Sequence, residues 1–199
     1  MRHKGIDKEE TKQRMIDAVG RGFRKSGFSG IGIEGLVKTA GVTSGAFYSH
    51  FGSKSGAFDI ALTVGLDEVI KAIPEFQREY QSNWIDAFTE YYLDEAHRQN
   101  IETGCAMASL TPEVVRFKEN THAIFENKMT EIVELIAIGL SGGSSEELTS
   151  RAWSMLGILI GGINLSRAMK TTEIAEDVAS AIKLSAIKVA GTACDFNHK

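Results

Sequence analysis

The chain has 199 residues, 43% apolar and 24% charged, with two prolines, two cysteines and a formal net charge of −4. That length makes one large domain or two small ones, and the composition excludes disordered, collagen-like and many-stranded β chains. Two cysteines cannot build a multi-bridge framework, and the charged opening MRHKGIDKEETK lacks the apolar segment of a secretory signal, so a cytoplasmic protein is expected.

From Lys8 to Lys25, Met15, Ile16, Val19 and Phe23 recur at helical intervals and predict a first helix that stops at Ser26-Gly27. Ile33, Leu36, Val37 and Ala40, closed by Gly41, predict a second short helix. Val42, Phe47 and Phe51 predict a third, beginning close to Thr43, whose hydroxyl can cap it, and ending near His50. Two short helices across a glycine turn make a helix-turn-helix. Ser53 then caps a long fourth helix bearing Phe58, Leu62, Leu66, Val69 and Ile73, which Pro74 kinks or ends. Further helices are expected over about 82–100, 105–116, 118–140, 144–169 and 172–192, the last starting at Thr172. The stretch Ala152–Leu165 is broken by Ser154, three glycines and Asn164 and falls short of the roughly 18 residues that cross a bilayer, so no membrane partner is expected. No stretch alternates with period two. The expected fold class is therefore all-α, with a three-helix helix-turn-helix head over 1–55 and a larger helical body over 56–199.

The charge is uneven: residues 1–56 carry +5 and residues 57–199 carry −9. A basic head on an acidic body is the footprint of a local phosphate-binding surface. Gly41 permits the tight turn, and Val42 and Phe47 fix the third helix to the head. The start of that helix, at Thr43 and Ser44, presents unpaired N–H groups. Small residues at Ser44, Gly45, Ala46 and Ser49 let it approach bases closely, although serine and alanine offer little direct readout.

The segment Gly27-Phe28-Ser29-Gly30-Ile31-Gly32-Ile33 and the run AGVTSGAFYSHFGSKSGAF, which joins a turn glycine, a hydroxyl cap, an aromatic pair and Lys54, resemble the DNA-binding domain of the tetracycline-repressor (TetR) family over about residues 10–60. The resemblance implies a homodimeric, ligand-responsive transcription repressor whose body dimerises and binds a small effector. The implied partners are a double-stranded DNA operator, a small-molecule effector and a second copy of the chain, with no cofactor and no metal. Thr43, Ser44, Gly45, Tyr48, Ser49, His50 and Lys54 are the expected DNA-binding set. By the resemblance, Tyr48, His50 and Lys54 are phosphate contacts. Arg2, Lys4, Lys8 and Lys12 can form a basic arm. Two positions depart from the family pattern: Ile31 and Gly32 stand where the second helix usually opens with Thr or Ser, and Val37 stands where Ala is usual.

In the body, Trp153, Leu156, Ile160 and Ile163, among Gly157, Gly161 and Gly162, and Val178, Ile182 and Val189 on the last helix are expected to form a four-helix dimer interface; the alternative is ordinary intrachain core. Two-fold symmetry would place the reading helices on palindromic half-sites spaced by a multiple of roughly 34–36 Å. Phe58, Leu62, Phe88, Tyr92, Cys105, Met107, Phe125 and Met155, with Tyr91, Phe117 and His122, are expected inside the body and would suit an apolar or aromatic effector. Each is also explained as plain core.

Cys105 at a predicted helix start is the reactive possibility, because free N–H groups there lower a thiol's pKa. The segment from Gly104-Cys105 to Pro112-Glu113 also resembles a stretch in a TetR subgroup, some of whose members sense electrophiles or oxidants. Buried inert cysteine is the alternative. Cys194 is expected near a frayed end and is given no role. HExxH, CxxC, GxxxxGK[ST] and GxSxG are all absent, which argues against an enzyme. A protein-interaction module on the same fold is the remaining alternative.

Overall fold

The computed structural model describes the backbone of residues 3–194 and the side chains of residues 9–194. The helices are α1 His3–Gly30, α2 Ile33–Ala40, α3 Ser44–Phe51, α4 Lys54–Tyr80, α5 Trp84–Leu93, α6 Glu95–Gln99, α7 Ala106–Val114, α8 Glu119–Ile138, α9 Ser145–Arg167 and α10 Thr172–Ala190. A 3-10 turn, Gln81–Asn83, precedes α5. β1, Leu140–Ser141, pairs antiparallel with β2, Thr192–Ala193, with Leu140 opposite Ala193. The fold is all-α, as its apolar periodicity requires.

Several boundaries differ from the sequence reading, each for a local reason. At Gly27 a φ of 69° and ψ of 173° break the helix, yet one further turn follows to Gly30. Pro74 sits inside α4, which runs on to Tyr80. The helix expected over 82–100 is divided at Asp94, whose extended backbone ends α5 and whose carboxylate accepts the His97 N–H at 2.6 Å to start α6. α10 does start at Thr172, as expected, with the preceding Thr171 as its cap. Ser144 and Glu147 form a capping box at α9, each side chain accepting the other's backbone N–H, so the Gly-Ser turn is a helix start as well as a break. Cys194 is not frayed: its N–H donates to the Gly139 carbonyl and its thiol to the Leu140 carbonyl, both at 2.8 Å.

The chain falls into two compact units, and they do not divide at residue 55. The first comprises the chain up to Gly65 together with Ile101–Phe125; the second comprises Leu66–Asn100 and the chain from Glu126 on. The segment 101–125 therefore packs with the head, although it is far from it in sequence. Phe23, Phe58, Leu36, Phe47, Met107 and Leu110 are fully buried in the first unit, each contributing about 1.5–3 kcal/mol by leaving water. Phe23, Phe28, Phe58 and Phe117 form one aromatic cluster, with Phe58 stacked on Phe117 at 4.4 Å.

Side chains from 101–125 also hold the start of α4 and the end of α1. Asp59 accepts hydrogen bonds from Thr121 Oγ1 at 2.7 Å and Asn120 Nδ2 at 3.2 Å. Arg24 Nε donates to the Glu102 carbonyl at 2.9 Å, and Lys25 pairs with the Glu102 carboxylate.

The second unit is built around Trp84, Phe88, Tyr92, Ile132, Ile136, Met155 and Leu159. Trp84 Nε1 donates to the Gly139 carbonyl at 3.0 Å, which satisfies the one polar atom of a buried indole. Arg98, nearly fully buried, pairs with Glu176 and reaches Ser166.

Candidate nucleic-acid interface

α3 is fixed by its start and its inner face. Gly41 takes the left-handed conformation, φ 65° and ψ 35°, that closes α2 and turns the chain. Thr43 is extended and its hydroxyl accepts the Ala46 N–H at 3.2 Å, so the first turn of α3 is capped from within. Phe47 and Phe51 point inward and are buried, as is Leu36 of α2. The opposite side therefore carries Thr43, Ser44, Gly45, Ala46, Tyr48 and Ser49, all exposed. Tyr48 is 49% exposed, with its ring edge against Phe47.

His50 is half-buried in the last turn, edge-on to Phe51 at 4.6 Å, and its Nε2 makes no hydrogen bond within the protein. Lys54 opens α4 with its ammonium over the Phe28 ring, 4.3 Å from the centroid. The structure thus brings the whole expected set onto α3 and the start of α4. The sequence departure at α2 has a visible effect: Gly32 caps that helix with no side-chain hydrogen bond, so its opening offers backbone N–H groups alone. Of the expected basic arm, Arg2 lies outside the described residues, as do the side chains of Lys4 and Lys8, while Lys12 pairs with Glu9 at 3.4 Å.

The body residues are sorted differently from the sequence reading. Phe58, Leu62 and Met107 are fully buried, and Cys105 and Phe125 half-buried, in the first unit; Phe88, Tyr92 and Met155 are buried in the second. Tyr91 and His122 are not interior: Tyr91 is 53% exposed, its ring 5.4 Å from Phe76, and His122 is exposed. Burial first, then the nearby Arg167 charge, holds the His97 imidazole below its usual pKa. Clefts in the second unit are polar, one lined by Arg98, Ser166, Arg167, Lys170, Thr171 and Thr172. Among the described residues no group of three or more His, Cys, Asp or Glu is arranged to hold a metal ion.

The expected interface set is also split. Leu156 and Ile163 belong to the chain's own core at 1% and 0% exposure. Ile182 packs on Gly162 of the same chain, where an added Cβ would lie 2.2 Å from its Cγ2. Ile160, Val178 and Val189 are half-buried. Trp153, at 45% exposure, shares the exposed surfaces of α9 and α10 with Gly157, Gly161, Leu165, Ile174 and Leu184, and a Cβ on either glycine would meet nothing within 4 Å.

Residues 16–59, from the core of α1 through α3 to the first turns of α4, match the family model described as bacterial regulatory proteins, tetR family. Over these residues the chain is similar to the TetR family. Over 141 residues it is 26% identical to the HTH-type transcriptional repressor NemR of Escherichia coli strain K12, covering 67% of this chain and 69% of that protein. Its fold matches the crystal structure of E. coli NemR in the reduced form with a TM-score of 0.70 and 19% identity, over 88% of this chain and 96% of that one. It also matches a TetR-family regulator from Agrobacterium tumefaciens with a TM-score of 0.73 and 12% identity, over 89% and 97% of the two chains. The chain therefore shares the helix-turn-helix segment of TetR-family regulators and the fold of these solved structures. Among its described residues no helix is long and apolar enough to cross a membrane.

Sequence reasoning missed Phe28, Asp59 and Glu102 as partners of the head. Their signals are single contacts between residues up to 78 positions apart, and no periodicity or spacing encodes those.

Proposed function

We propose that this chain is a dimeric TetR-family repressor that reads a palindromic operator with α3 and leaves it when a small molecule binds the body. The observation that carries the reading is the small-residue outer surface of α3, exposed from Thr43 to Ala46 and anchored on its other side by Phe47 and Phe51. Small side chains let a helix sit deep in the major groove, while Tyr48, His50 and Lys54 reach the phosphates beside it. The exposed surfaces of α9 and α10, with Trp153, Leu184 and two open glycines, suit a second copy packing as a four-helix interface. An effector lowers operator affinity by its differential affinity for the two head spacings. An apolar or aromatic molecule is the effector class proposed for the body.

Selection of random duplexes by the purified protein tests this reading. An enriched palindrome, bound with a steep negative salt slope, is expected. Failure to enrich any sequence at low salt sinks it and favours a protein-interaction role.

A second reading has its own observation. Cys105 is the N-cap residue of α7, half-buried, and it follows the turn whose Glu102 is held by Arg24 and Lys25 of α1. Addition of an electrophile to its sulfur would enlarge a side chain beside that turn. A thiol-responsive regulator is the second reading. Cys105→Ser is expected to stay on DNA after treatment with an electrophile that releases the parent; equal release sinks the thiol reading and leaves the operator reading intact.

A further inference from the structure

We propose that Phe28 is a positioning residue for phosphate recognition: its ring holds the Lys54 ammonium in place before DNA arrives. This rests on the reading of Lys54 as a phosphate contact. Lys54 Nζ lies 4.3 Å from the Phe28 centroid, well inside the roughly 6 Å over which an aromatic face attracts a cation. Among the described residues Lys54 makes no ion pair, so a ring stands where a carboxylate would otherwise neutralise the charge.

The platform under the ammonium is rigid. Gly27, with φ 69°, breaks α1 immediately before Phe28. The Phe28 ring then packs on three others: edge-to-face on Phe117 at 4.6 Å and on Phe58 at 5.7 Å, and stacked with Phe23 at 5.9 Å. Phe117 comes from the 101–125 segment, which thereby reaches the ring that carries Lys54.

The physical advantage is ordering in advance. A free lysine side chain loses rotamer entropy when it is fixed. A chain already held on a ring has lost part of that freedom before DNA binds. A ring attracts the ammonium without neutralising it, and the three donors of the half-exposed ammonium are not consumed by a carboxylate, so a phosphate oxygen can still accept one of them.

The test is fluorescence anisotropy of the full chain on its selected duplex, across a salt series. The proteins are the parent, Lys54→Ala, Phe28→Leu and a variant with pentafluorophenylalanine at position 28, the last two also combined with Lys54→Ala. Lys54→Ala is expected to weaken all duplexes alike and to reduce the salt slope by about one. The fluorinated ring keeps nearly the same size but reverses the charge of its face. It is expected to weaken binding about two- to fivefold, the scale of an exposed cation–ring contact, and to cause no further loss once Lys54 is alanine. Because its shape is retained, this variant keeps the test valid if Phe28→Leu fails to fold.

Unchanged affinity with the fluorinated ring, or an equal loss in the Lys54→Ala background, overturns the positioning role and leaves Lys54 as a contact. Unchanged binding by Lys54→Ala overturns both.

Discussion

Arg24 Nε donates to the backbone carbonyl of Glu102 at 2.9 Å, so the turn leading into Cys105 hangs from the first helix of the DNA-binding head. The bond joins residues 78 positions apart and is partly buried. Removing the guanidinium leaves that carbonyl without this donor, at a cost of about 1 kcal/mol. Arg24→Ala is expected to raise hydrogen exchange across residues 101–105 and to lower the unfolding midpoint. Lys25→Ala, which removes only an exposed ion pair, is expected to change either by little. Equal exchange in the two variants counts against the strap.

The Thr43 cap ties stability and reading to one hydroxyl. Thr43→Val removes the acceptor for the Ala46 N–H and is expected to cost about 1 kcal/mol of stability, with weakened operator binding, whereas Thr43→Ser keeps both. Denaturant melts and binding isotherms of the three proteins check it.

Gly162 and Gly161 are neighbours with opposite expectations. An added Cβ at Gly162 lies 2.2 Å from Ile182 Cγ2, so Gly162→Ala is expected to destabilise the chain by about 1–3 kcal/mol through overpacking. At Gly161 the same Cβ meets open space, and Gly161→Ala is expected to leave the fold intact or firmer while loosening the proposed dimer. Urea melts separate the first effect, and sedimentation across a concentration series separates the second. A dimer unaffected by Gly161→Ala removes that surface from the proposed interface.

His97 gives a pH dependence of known sign. Burial, with the Arg167 charge adding to it, lowers its pKa in the folded state despite the opposing backbone contact at Tyr91 and the charge of Asp94. Below the ordinary value of about 6.5 the unfolded chain takes up a proton that the folded chain does not. Its contribution is fully present above that value and declines as pH falls towards the lowered folded pKa. His97→Phe, which can keep the ring contacts with Tyr91 and Tyr92, is expected to show a shallower loss of stability between neutral and mildly acidic pH. Parallel curves for the two proteins contradict this origin.

Much of the head was legible because its signals are local. Gly41, Thr43 and the Phe47–Phe51 spacing dictate turn, cap and buried side within a dozen residues, and α2 and α3 lie where those residues place them. The body was less so. A helical period over 82–100 does not reveal that Asp94 will cap a new helix, since an aspartate is compatible with either state until its backbone is set. Leu156 and Trp153 both read as apolar faces of one helix, yet one is core and the other exposed. Apolar residues around most of a helix do not say which of them its own chain covers.

The sequence by itself determined the all-α class, the helix-turn-helix and the TetR resemblance, because helix periodicity, caps and glycine turns act over a few residues and survive any packing. Tertiary structure alone decided that residues 101–125 pack with the head, that Phe28 lies beneath Lys54, and that Ile182 closes on Gly162. Those are meetings of side chains remote in sequence, and they exist only after burial has chosen which faces touch.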